Sequence, residues 1–313
     1  MTDYIVSDQN LSAVASAIRS KADIQGGLSF PAGFVDAVNS IETGGGGGHE
    51  AEDALIDRTL SGNYVNNRVK TIGDNAFRSA SFLTGVDCEE VLYIHSAAFA
   101  NCSSLKSVSF PKCLKINSTA FGYCSGLSEA EFPECSIVET GAFSYCSELR
   151  RISLPKCSTF SSMAFYSCKS LETIYAPKVK EVGYQCFFMC SNLREINFPE
   201  CIGISGSAFV NASYLQMVSF PKALAISSYA FQYCYRLLSC YFLGNSVPTL
   251  PSTNVFSNTP ISTSTSYTQG ERGTIYVRAS LVESFANATG WKAYSSRIVG
   301  LTDEEIAALN EGE

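Results

Sequence analysis

Ala98-Phe99-Ala100-Asn101-Cys102-Ser103-Ser104-Leu105-Lys106-Ser107-Val108-Ser109-Phe110-Pro111-Lys112-Cys113-Leu114-Lys115-Ile116 is the stretch from which the fold follows. Its Ala-Phe pair recurs along the chain. Phe77, Phe99, Phe121, Phe143, Phe165, Phe187, Phe209 and Phe231 stand 22 residues apart without insertion or deletion. Cys follows three residues after the Phe at 102, 124, 146, 168, 190 and 234, and Leu six after it in every repeat, from Leu83 to Leu237. Each unit then runs through Val or Ile, Phe or Leu, and Pro (Pro111, Pro133, Pro155, Pro177, Pro199, Pro221), with a second Cys at 113, 135, 157 and 201. A fixed period of this length means a solenoid, in which each turn buries its apolar side only against its neighbours. The turn Leu105-x-x-Val108-x-Phe110-x-x-Cys113-x-x-Ile116 fits the solenoid pattern L-x-x-L-x-L-x-x-(N/C). Each turn should therefore give one short strand in a parallel sheet, about 4.8 Å from the next. Pro closes the strand, and Ala-Phe opens the return on the opposite wall.

The period also accounts for the 13 cysteines. Equivalent side chains in a parallel, in-register column lie about 4.8 Å apart, beyond the ~3.8 Å between Cβ atoms that a disulfide prefers. Free, buried thiols are expected, inert in redox chemistry and without a metal, since no His adjoins the columns and no Cys-x-x-Cys occurs. No cofactor is expected.

The unit A-F-x-x-C-x-x-L-x-x-V-x-F-P resembles the BspA-like leucine-rich repeats of bacterial and some protist cell surfaces, over about residues 70 to 243. The resemblance implies a non-enzymatic binding module for host proteins or other cells. The fold expected is a β-rich solenoid of about eight turns over residues 54–245, preceded by a helical hairpin (1–41) and a Gly-rich linker (42–53). An α+β cap (246–300) and an acidic tail (301–313) follow it.

In the hairpin, Leu11, Val14, Ala15 and Ile18 recur on one helical face, and Phe34, Ala37, Val38 and Ile41 do so after Pro31. Ser7-Asp8 through Lys21, with Leu28-x-Phe30-Pro31-x-Gly33-Phe34, resembles a short module at the front of phage tail and prophage structural proteins of Gram-positive gut bacteria. So small a hairpin is expected to self-associate or dock. Gly44 to Gly48 is a tether, not a phosphate loop, because His49-Glu50 follows where Lys-Ser/Thr is required. Beyond Gly244, prolines at 248, 251 and 260 mark a loop, Thr274 to Val277 a strand, and Ser280 to Glu283 and Thr302 to Glu305 two capping boxes. Trp291 should seal the open end.

Lys plus Arg number 22 against 29 Asp plus Glu, five of which fall in the last eleven residues. With no cationic excess, nucleic acid is not an expected partner, and no apolar run is long enough for membrane insertion. The first residues show no signal-peptide pattern, which favours particle-borne display over ordinary secretion. With two histidines and no nucleophile–base pattern, the chain reads as no enzyme.

Binding is expected on the sheet face. Eight and ten residues after each marker Phe the side chains vary while their neighbours stay fixed, and from these columns come Glu129, Glu131, Arg151, Tyr175, Glu195, Asn197 and Tyr241. The column thirteen after Phe runs Glu90, Lys112, Glu134, Lys156, Lys178, Glu200, Lys222; its mostly alternating signs read as a solvated register device before a recognition stripe. Tyr123, Tyr145, Tyr166, Phe188 and Tyr233 could stack on sugars or proteins, but beside core residues they read first as rings covering a turn. Two functions result: recognition of a protein or glycan on a host or bacterial surface, at a cell surface or on a virion; or a tail component whose solenoid is only a spacer.

Overall fold

The computed structural model describes residues 62–81, 83–262 and 271–311. The predicted hairpin (1–41) and linker (42–53) lie outside the described residues. Each turn contributes two short strands. The first set builds a six-stranded parallel sheet from Gly62–Val65 to Thr173–Tyr175 and a five-stranded one from Glu195–Asn197 to Ile298–Leu301. The second set, from Thr71–Ile72 to Ala225–Ile226, builds an eight-stranded sheet on the other wall. Register partners in the repeats are equivalent residues, as with Val108 opposite Ala130 and Ala130 opposite Ile152, so each side-chain type stacks on itself.

The core is a ladder of marker rings. Phe77, Phe99, Phe121 and Phe143 stack at 4.9, 5.0 and 5.2 Å between centroids, all fully buried. The ladder does not stop where the 22-residue spacing does. Phe256 stacks on Phe231 at 5.4 Å, and Thr274–Arg278 and Ile298–Leu301 add two parallel strands beyond Ser239–Phe242. The expectation of about eight turns is thus corrected to about 10. The last marker comes 25 rather than 22 residues after its predecessor, and this hid it.

The return between the sheets has its own hydrogen-bond ladder. In the turn of Phe121, the N–H groups of Thr119, Phe121 and Tyr123 donate to the carbonyls of Thr140, Ala142 and Ser144 in the next turn, at 2.9, 2.7 and 2.7 Å. To present them, the residues two before and two after the marker adopt left-handed backbone, with φ of 54° at Thr119 and 61° at Tyr123. Every non-glycine residue of positive φ among the described residues occupies one of these two positions. An isolated left-handed residue costs about 1–2 kcal/mol. Here the interturn ladder offsets it.

All thirteen cysteines are buried free thiols. Those three residues after the marker donate Sγ–H to the carbonyl of the preceding turn's marker, as Cys124 does to Phe99 at 3.0 Å and Cys168 to Phe143 at 3.0 Å. The second column donates two residues on, Cys135 to Ile137 at 3.2 Å. Cys is used because the slot is small, apolar and faces a carbonyl.

At the C-terminal end Trp291 is buried, packs edge-on against Phe242 and Phe285 at 5.3 and 4.9 Å, and donates Nε1–H to the Pro248 carbonyl at 2.6 Å. Ser280 to Glu283 does not form the expected capping box. Ser280 lies inside a 3-10 turn, Ala279–Leu281, that runs directly into helix α1 (Val282–Asn287), leaving no free first turn to cap. The second box does form: the Thr302 N–H donates to Glu305 Oε2 at 2.8 Å and the Glu305 N–H to Thr302 Oγ1 at 3.2 Å, opening helix α2 (Asp303–Glu311).

The alternating column pairs as expected, Lys156 to Glu134 at 2.6 Å and Lys222 to Glu200 at 2.7 Å. These groups are substantially exposed, so reversing one charge with Lys156→Glu is expected to lower stability by no more than about 1 kcal/mol in a urea melt, less at high salt.

Candidate binding face

Side chains alternate across a strand, and the residue nine after each marker (Val108, Ala130, Ile152, Val218, Cys240) points into the core. The residues at eight and ten therefore point outward. Glu129, Glu131, Arg151, Tyr175, Glu195 and Asn197 are all exposed, and Tyr175 is 62% exposed, the highest value among the large apolar and aromatic side chains described.

The structure does not unite the seven residues in one sheet. Glu129 faces Arg151 across adjacent strands, while Glu131 and Tyr175 flank Ser153, so these four form one group. Glu195 and Asn197 pair with Met217 and Ser219, and with Tyr241 they belong to the second sheet. The interruption falls between Thr173–Tyr175 and Glu195–Asn197. At this turn the residue before Pro177 is Ala176, not Phe or Leu, and the neighbouring turn carries Phe160 where others have Ile or Val.

Tyr241 is half-buried and stacks on Tyr276 at 4.7 Å with 13° between planes, and burial pushes its phenol above the usual tyrosine range. Sequence reasoning missed Tyr276. The signal was present: Thr274-Ile-Tyr-Val repeats the alternation of Ser239-Cys-Tyr-Phe, which it pairs with residue for residue.

Of the five rings at this corner, Tyr123 and Tyr145 are exposed while Tyr166, Phe188 and Tyr233 are half-buried, and two stacked pairs form. Tyr123 stacks on Tyr145 at 4.5 Å and Tyr166 on Phe188 at 4.9 Å, while Tyr123 and Tyr145 are 52% and 40% exposed. Tyr123 and Tyr145 both sit on left-handed backbone at the return. Among the described residues no group of three or more His, Cys, Asp or Glu is placed to hold a metal, and no helix is long and apolar enough to cross a membrane.

Comparison with known proteins agrees with this geometry. The BspA type leucine rich repeat region matches in 6 copies, over residues 59–150, 114–239 and 158–269. Among solved structures, a leucine rich cell surface protein of Faecalibacterium prausnitzii is similar at 21% identity and a TM-score of 0.50, over 64% of this chain and 66% of that one. A leucine-rich repeat protein of Eubacterium ventriosum is similar at 18% identity and a TM-score of 0.47, over 68% of each chain. No curated protein matches. With its repeats matched over most of its length and its strands stacked as that pattern requires, the chain belongs to the BspA-type leucine-rich-repeat family.

Proposed function

We propose that this protein is a non-enzymatic recognition module that binds a protein or glycan of a host or bacterial surface through its long-sheet face. The observation that carries the reading is the contrast between columns. Within one chain the inward columns repeat Phe, Leu, Cys and Val, whereas the outward pair changes from Glu to Arg to Tyr at fixed geometry. Rigid backbone with variable exposed side chains is the arrangement of a grafted binding surface. Tyr and Arg are the residue types that most often anchor interfaces, and Arg151 and Tyr175 lie on adjacent strands.

The test is the double variant Arg151→Ala, Tyr175→Ala, applied to bacterial or host cells beside the parent protein. At least a tenfold loss of retained protein is expected, with an unchanged circular dichroism spectrum and melting curve. Undiminished retention would remove the sheet face as the binding surface.

A second reading, a phage-tail or prophage component whose solenoid is a spacer, is favoured by the resemblance of residues 1–41 to tail modules. It requires assembly through that segment. Light scattering on residues 1–313 against Glu50 to Glu313 separates the two: a closed oligomer reduced to monomer by the truncation supports particle display, and two monomers remove self-assembly.

A further inference from the structure

The outward columns meet a wall at their C-terminal end. After Ile298–Leu301 the chain caps at Thr302 and enters α2, whose first turn is anchored by the Arg278–Asp303 ion pair and by buried Ile306. In its second half Leu309 is 45% exposed. Between helix and sheet lies an open groove of about 430 Å³, lined by Tyr241, Tyr276, Leu301, Glu305, Ala308 and Leu309.

We propose that this groove receives a lysine or arginine side chain from an extended segment of a partner protein. The proposal rests on the sheet-face reading, since Tyr241 is the last of that face's predicted residues. The two rings stack face to face and give the groove an aromatic side along which the methylene stem of a long basic side chain can lie. Leu301, Ala308 and Leu309 supply the apolar wall. Charge decides the sign of the occupant. Glu305 lines the groove, Glu304 stands beside it, helix α2 carries no Lys or Arg, and the nearby cation, Arg278, is already engaged by Asp303 and by the Leu243 carbonyl. An anionic segment or acidic glycan would meet repulsion at Glu305. The volume suits a few residues of a chain, near the lower end of the usual range for ligand pockets of about 300–1,000 Å³.

The experiment follows backbone amide resonances of the full chain during titration with an acetylated, amidated Gly-Arg-Gly-Arg-Gly pentapeptide, with Gly-Glu-Gly-Glu-Gly as the counter-probe. Saturable shifts at Tyr276 and Ala308 are expected with the basic peptide alone. Glu305→Gln should weaken binding at least threefold, and because Gln still completes the capping box the helix is retained. Ala308→Lys, at an exposed helical position, places a cation in the groove and should abolish the shifts. No saturable shift, an equal response to the acidic peptide, or unchanged binding in either variant overturns the proposal. Loss of cell retention in the Arg151 and Tyr175 variant would then still uphold the sheet face, so the two failures are distinguishable.

Discussion

Raising the pH from 8 to 9.5 is expected to destabilise the solenoid strongly, lowering its urea midpoint. The cause is the thiol columns. Burial pushes Cys113 and Cys201 up to about 12 and Cys88 to about 11, and it pushes Cys124, Cys146, Cys168, Cys190 and Cys234 well above the ordinary thiol range. In the unfolded chain these groups titrate near 8.5. A folded value above the unfolded one means that the native state holds the proton more tightly. That stability is complete below the unfolded value and is lost as pH climbs from about 8.5 toward the folded value of 11 to 12. Between pH 8 and 9.5 each such thiol gives up a little over about 1 kcal/mol, and the eight together on the order of 10 kcal/mol, a large part of the stability of an ordinary domain. Urea midpoints at pH 8.0 and 9.5 under reducing conditions measure it. Substituting Cys113 and Cys201 by Ala should recover a little over about 2 kcal/mol of the pH-dependent loss. A midpoint independent of pH over this window would show that the thiols are not held protonated by the fold.

That the columns exist was legible in the sequence because the period has no insertions between Phe77 and Phe231, so every residue type could be assigned a wall. What the period cannot carry is backbone chirality. Thr119, Met163, Gln185 and Tyr229 share a left-handed conformation though no residue preference marks the position, because the requirement comes from the neighbouring turn's carbonyls and not from the residue itself. Tyr123 and Tyr145 are exposed in that conformation, whereas Tyr233 shares it and is half-buried, so the period alone does not give a ring's exposure. Tyr276 was lost to a change of spacing: once the marker slipped to Phe256, the outward column could be extended only by matching strands in space. The outward residues themselves followed from strand alternation alone. Their division between two sheets did not, since alternation along one strand says nothing about whether its neighbour keeps the ladder.

Core filling beside that division gives the second prediction. Phe160 occupies a column otherwise held by Ile or Val, while Ala176 occupies one held mostly by Phe. Both are buried, and the Phe160 ring leans toward the later turns, meeting Phe165, Phe187 and Phe198 edge-on at 5.2, 5.9 and 6.0 Å. Phe198 is the equivalent of Ala176 one turn on, so the ring reaches the space that a Phe at 176 would otherwise take. Large and small residues exchanged across facing positions conserve core volume. Phe160→Val should then open a cavity and cost about 2–4 kcal/mol, and Ala176→Phe alone should overpack the turn by about 1–3 kcal/mol. Each substitution restores the residue type of the neighbouring turns. The double variant should therefore lie within about 1 kcal/mol of the parent, a coupling of more than about 2 kcal/mol. Chemical denaturation of the four proteins in the cycle reads this directly. Additive losses would mean that the two residues do not share a slot. The double variant also bears on the binding face: if this exchange holds the two long sheets apart, amide protection between Thr173–Tyr175 and Glu195–Asn197 should rise, joining the four residues around Arg151 to the three that end at Tyr241.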